Sequence, residues 1–220
     1  MEADAVEIRV VGCLLEKQRT TPDAYPLSLN ALRLACNQAT NRDPVVDYDE
    51  SIVAEALPRL ALRGWTRLAS GAGSRARKYR HLLDEALDAD GAELSLLAVL
   101  MLRGVQTPGE LKQRADRLHA FADLAAVQAT LERLVERGYV KRLARRPGQK
   151  EERYVQMLGG DEDSASGEEP PPVHSSSAAP GVAGSPTADR LARLEQELAE
   201  LREQVQRLRE ALGEPSEPQA

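Results

Sequence analysis

Apolar residues crowd two stretches, Val6–Lys17 and Leu94–Leu102, with the length and composition of buried helices. Each is followed by a Thr-Pro turn, Thr21-Pro22 and Thr107-Pro108, and then by a second helical pattern, Leu27–Cys36 and Glu110–Leu118. A third helical pattern runs in each case to an Arg-Gly-aromatic triplet, Arg63-Gly64-Trp65 and Arg137-Gly138-Tyr139. The glycine there suits the left-handed position just past a helix end. The period then shortens to that of strands. WTRLA and RKYRHL flank the loop SGAGSRA in the first copy, and YVKRLA and ERYVQML flank RRPGQKE in the second.

The two copies are an internal repeat. LPRLALRGW at 57–65 aligns with LERLVERGY at 131–139, and Tyr79 and Tyr154 follow at similar distances. Three helices and a hairpin form the winged-helix arrangement, a helix-turn-helix variant. The predicted fold is therefore mostly α within the α+β class. It has two tandem winged-helix domains, at residues 1–90 and 91–158, and a C-terminal coiled-coil helix.

Residues 159–186 are Gly, Ser, Pro and acid with almost no large apolar side chain, a composition that predicts a disordered linker. In 187–213 the pattern becomes a heptad seam, with Leu191, Leu194, Leu198, Leu201, Val205, Leu208 and Leu212 spaced three and four apart. With Leu191 at position a, a parallel pair sets Arg190 against Glu195 and Glu197 against Arg202, so a homodimer through 187–212 is expected. Packing of the helix back onto its own domains is the alternative. Residues 214–220 read as a disordered tail.

Composition narrows the class. Of 220 residues, 42% are hydrophobic but only 3% aromatic, so the cores must rest on Leu, Val and Ala. No apolar run approaches the roughly 18 residues of a membrane span, and the acidic N-terminus lacks a signal-peptide pattern. A cytoplasmic protein is expected. Cys13 and Cys36 sit among apolar helical residues and read as core hydrophobes, not as a disulfide or a metal site. Net charge is −6, but it is unevenly spread: −2 over residues 1–90, +4 over 91–158 and −8 over 159–220. Local charge governs attraction to phosphate, so the second domain is the better candidate for nucleic acid.

The string RVVGCLLEKQRTTPDAYPLSLNALRLACNQATNRDPVVDYDE, residues 9–50, closely resembles the YceH family of bacterial proteins. The resemblance covers residues 5–158, and the leucine-heptad tail is also similar. It implies a fold of tandem winged helices and no established reaction, and it carries over no catalytic residue. The polar residues in the string (Asn30, Asn37, Thr40, Asn41, Arg42, Asp43) are expected to cap helices and shape the crossing between the second and third helices. Asp47 with Glu50 resembles a capping box for a helix over Ile52–Leu62.

DNA binding leads the functional readings. Winged helices place the third helix in the major groove and the wing on the backbone. Wing one offers Arg67, Arg75, Arg77, Lys78 and Arg80. Wing two offers Lys141, Arg142, Arg145, Arg146, Lys150 and Arg153. Gln128, Thr130 and Arg133 of the second domain's third helix are candidates for base contacts. Against this stand Asp47, Asp49, Glu50 and Glu55 around the start of the first third helix, and Asp123, Glu132 and Glu136 in the second. Neither helix has the Arg, Asn or Gln density of strong base readout, so weak or shape-based contact with double-stranded DNA is expected. The alternative is a protein-interaction adaptor, with a protein partner on the first domain. An apolar patch on that domain's third helix would mark it. Catalysis is disfavoured. His81, His119 and His174 are scattered, there is no paired Cys/His metal spacing, no phosphate-binding glycine loop and no GxSxG elbow. No cofactor is implied.

Overall fold

The computed structural model describes residues 2–69, 77–145 and 151–159. Among these are seven α-helices and two small antiparallel sheets, an α+β fold. The first repeat comprises α1 (Ala5–Thr20), a two-residue strand β1 (Leu27–Ser28), α2 (Leu29–Cys36), α3 (Glu50–Leu62), β2 (Thr66–Leu68) and β3 (Lys78–His81). A short helix α4 (Leu83–Leu87) leads to the second, built from α5 (Gly91–Arg103), α6 (Pro108–Ala115), α7 (Leu124–Glu136), β4 (Val140–Leu143) and β5 (Arg153–Gln156).

Several boundaries differ from expectation, each for a local reason. Ser28 accepts a hydrogen bond from the Ala31 N–H, so α2 begins two residues late. This frees Leu27 and Ser28 to pair with Tyr79 and Lys78 as a third strand. Asp49, not Asp47, caps α3 by accepting from the Ile52 N–H, while Asp47 accepts from Asn37 Nδ2. In the second repeat α5 starts earlier than Leu94, at Gly91, because Asp90 and Glu93 form a capping box. Thr107 and Glu110 form another that starts α6 at Pro108, and α6 stops at Ala115, short of Leu118.

The Arg-Gly-aromatic triplets do end both third helices. Gly64 and Gly138 have φ of 74° and 73°. The N–H of Trp65 reaches the Leu60 carbonyl at 3.0 Å, and that of Tyr139 reaches Leu134 at 2.9 Å, the long bond of a Schellman turn. The turn fixes the angle at which each hairpin leaves its helix. The two repeats share one mainly aliphatic core, and Cys13 and Cys36 are buried in it as free thiols. A hydrogen bond to Cys13, with burial, pushes the Cys36 thiol well above the usual cysteine range.

The repeats pack on each other through α1 and α5. Gly12 permits the close approach: a Cβ placed there would lie 3.0 Å from Met101 Cβ. Beside this seam sits a polar junction. Arg42, from the turn after α2, is buried and bidentate to Glu16 of α1, at 3.2 and 2.6 Å. Its remaining donors reach the carbonyls of Ala35 and Asn41 and the Gln38 side chain. Arg117 of the second repeat reaches the same Glu16 carboxylate. Asn41, at φ 60°, accepts from Arg103 at 3.0 Å, and the Asp43 N–H donates to the Leu102 carbonyl at 2.9 Å.

Candidate interaction surfaces

In both repeats two arginines one turn apart on the third helix grip the start of the first. Arg59 pairs with Asp4 at 2.7 Å, and Arg63 with buried Glu7 at 3.3 Å. In the second copy Arg133 reaches Asp90 and Glu93 at 3.1 and 3.2 Å, and Arg137 reaches Glu93 at 3.1 Å. The C-terminal arginine of each pair also lies over its aromatic, Trp65 at 5.7 Å and Tyr139 at 5.0 Å. These arginines therefore hold the helix bundle together, and Arg133 is committed to two carboxylates instead of facing outward unpaired. The capping boxes Asp4-x-x-Glu7 and Asp90-x-x-Glu93 were a legible signal for this clamp. The third helices alone do not reveal it.

On α7 the outward face holds Leu124, Gln128, Ala129, Glu132 and Glu136, all exposed. Thr130 turns inward, and its hydroxyl donates to the Ala126 carbonyl. The second hairpin stands beside this face. Arg142 lies 4.0 Å from Glu132 and 3.5 Å from Glu152, over the Tyr154 ring. Lys141 and Arg145 are exposed on the same hairpin, with Arg145 3.9 Å from Glu152. Arg153 is half-buried. Gln128 and, through Glu132 and Glu152, Arg142 and Arg145 thus lie on one side of the second repeat, while Lys141, next to Arg142 along β4, points to the other face of the hairpin. Arg146 and Lys150 lie outside the described residues.

The first hairpin is arranged differently. Arg80 pairs with Glu85 at 3.6 Å, and Lys78 is half-buried. Arg67 and Arg77 are exposed and line a groove of about 690 Å³ between α2, α3 and the hairpin. Leu29, Leu57, Pro58, Ala61, Leu68 and Tyr79 supply its apolar lining. Leu62, 90% exposed, lies at the end of α3, and Leu68 is 52% exposed on β2. Arg75 lies outside the described residues. So do Leu191, Leu194, Leu198, Leu201, Val205, Leu208 and Leu212.

His81 is buried behind the first hairpin. Its Nδ1 accepts from the Leu83 N–H and its Nε2 meets Gln18 Oε1 at 2.6 Å, so the neutral ring with a proton on Nε2 fits the site. Burial holds its pKa down to about 4. Burial would raise the Glu16 carboxyl, but the hydrogen bond and charge of Arg42, aided by Arg117, hold it below its ordinary value. Both groups are satisfied parts of the core. Among the described residues no cluster of His, Cys, Asp and Glu could hold a metal ion, and no helix is long and apolar enough to cross a membrane.

A family described as a protein of unknown function, DUF480, matches residues 3–149. The UPF0502 protein YceH of Salmonella paratyphi A is 45% identical, over 97% of this chain and 99% of its own length. Its namesakes from Salmonella agona and Salmonella dublin match at the same identity and coverage.

Proposed function

This chain belongs to the YceH family, and from that premise we propose that it is a non-enzymatic, cytoplasmic binding protein of two tandem winged helices. Its second unit contacts duplex DNA through the phosphate backbone. Residues 187–212 pair two copies as a parallel coiled coil, doubling the number of phosphate contacts.

One observation carries the DNA reading. In the basic second unit, Lys141, Arg142 and Arg145 are exposed on a hairpin beside a third-helix face that offers only Gln128 to a base edge. Glu132 and Glu136 on that face repel phosphate. Contact therefore falls to the hairpin, which positions the protein without reading sequence. Fluorescence anisotropy of a mixed-sequence duplex, titrated at several salt concentrations, tests this. Three phosphate contacts per copy predict a log–log salt slope of about −3 per copy, steeper if Arg146 and Lys150 join. No binding at low salt contradicts the reading.

A second reading, a protein-interaction adaptor, is supported by the apolar groove on the first unit. The two readings concern different surfaces and are compatible.

A further inference from the structure

The repeat provides its own internal control. Gln128, Glu132, Glu136 and Arg142 of the second unit correspond to Ala54, Pro58, Leu62 and Leu68 of the first, by the same offset that aligns the Arg-Gly-aromatic triplets. Strand register extends the match. Leu68 pairs with Tyr79 as Arg142 pairs with Tyr154, so Arg77 stands where Glu152 stands. In the second unit Arg142 lies between Glu132 and Glu152, at 4.0 and 3.5 Å, and the face is an ordinary solvated one. In the first unit both carboxylates are gone, replaced by Pro58 and Arg77, and the central arginine is Leu68. The same fold has thus exchanged a self-satisfied polar face for a mainly apolar groove lined by two cations, Arg67 and Arg77, and one carboxylate, Glu50 at the start of α3, which forms no ion pair with either among the described residues.

We propose that the groove between α2, α3 and the first hairpin docks an acidic amphipathic segment of a partner protein. The segment's leucine-like side chains lie on Leu57, Pro58, Ala61 and Leu68, and its carboxylates lie on Arg67 and Arg77. Charge selects the occupant. Arg67 and Arg77 are exposed and form no ion pair among the described residues, Glu50 leaves the lining with a net positive charge, and an acidic segment supplies the charges that Glu132 and Glu152 supply in the second unit. Nucleic acid would meet the cations but leave the apolar floor uncovered. A helical segment presents apolar and acidic stripes side by side, the usual way a groove is filled by a helix.

The test is selection of a random displayed peptide library on the full-length protein, followed by anisotropy with the selected peptides. Enriched peptides should carry apolar residues at helical spacing and an excess of Asp and Glu. The triple variant Pro58→Glu, Leu68→Arg, Arg77→Glu rebuilds the second unit's face on the first. The second unit already folds with this side-chain set, so the variant separates loss of docking from loss of fold. It should weaken peptide binding by about tenfold or more, the scale of losing a central contact, with circular dichroism unchanged. If the variant fails to fold, Arg67→Glu with Arg77→Glu is the replacement and should cause the same loss. Selection of basic or uncharged peptides, no enrichment at all, or equal binding to the variants would overturn the proposal. So would loss of duplex binding in the Arg67→Glu, Arg77→Glu variant, which would give the groove to nucleic acid.

Discussion

Arg42 is buried without harm because all its donors are used and Glu16 neutralises its charge. Sequence reading placed this residue, with Asn37 and Asn41, in a crossing between helices. That holds for Asn37, which both donates to and accepts from Tyr48. It missed that Asn41 also meets Arg103 of the second repeat, because a partner 62 residues away leaves no periodic trace. His81 read as an isolated histidine with no role, and its role is internal too. With its folded pKa near 4, against 6.5 for an ordinary histidine, the unfolded chain takes the proton first. Stability is therefore full above about pH 6.5 and falls as pH drops toward 4, by on the order of 3 kcal/mol. Glu16, also depressed, adds a loss of the same sign below its ordinary 4.5. Urea midpoints measured across this range should fall with acid, and His81→Gln should flatten the upper part of the curve. A flat wild-type profile between about pH 6.5 and 4.5 would refute the assignment.

Among elements, the long apolar helices and the two glycine-terminated third helices were legible because their signals are local and repeated. Strand β1 and helix α4 were not, since two and five residues are too short to show a period. The close seam of α1 on α5 was also hidden. Gly12 in a helix looks only like a weak point, until Met101 is seen against it. Replacing Gly12 with Val should overpack the seam and destabilise the protein by roughly 1–3 kcal/mol. The expected signature is a lower denaturant midpoint with unchanged slope. An unchanged midpoint would mean that the repeats can move apart without cost.

At the scale of the whole molecule, two copies of one unit present different outer faces. The candidate surfaces were only half legible. The cations of both hairpins were visible in the sequence, but which of them face carboxylates, and which an apolar groove, is decided by pairing across strands and helices. The heptads of 187–212 lead us to expect a dimer. Deleting those residues should halve the mass seen by light scattering and leave the helical signal of the two folded units. An unchanged mass would refute dimerisation through this segment.

We propose a division of labour, with duplex contact on the second unit and a protein partner on the first. The most direct test is one anisotropy titration of a mixed-sequence duplex at low salt with three proteins. They are the wild type, a variant with Lys141, Arg142 and Arg145 changed to Glu, and a variant with Arg67 and Arg77 changed to Glu. The wild type should bind, the second-hairpin variant should lose about tenfold or more, and the groove variant should stay within about twofold of wild type. An absence of wild-type binding, or equal losses in the two variants, would contradict this division of labour.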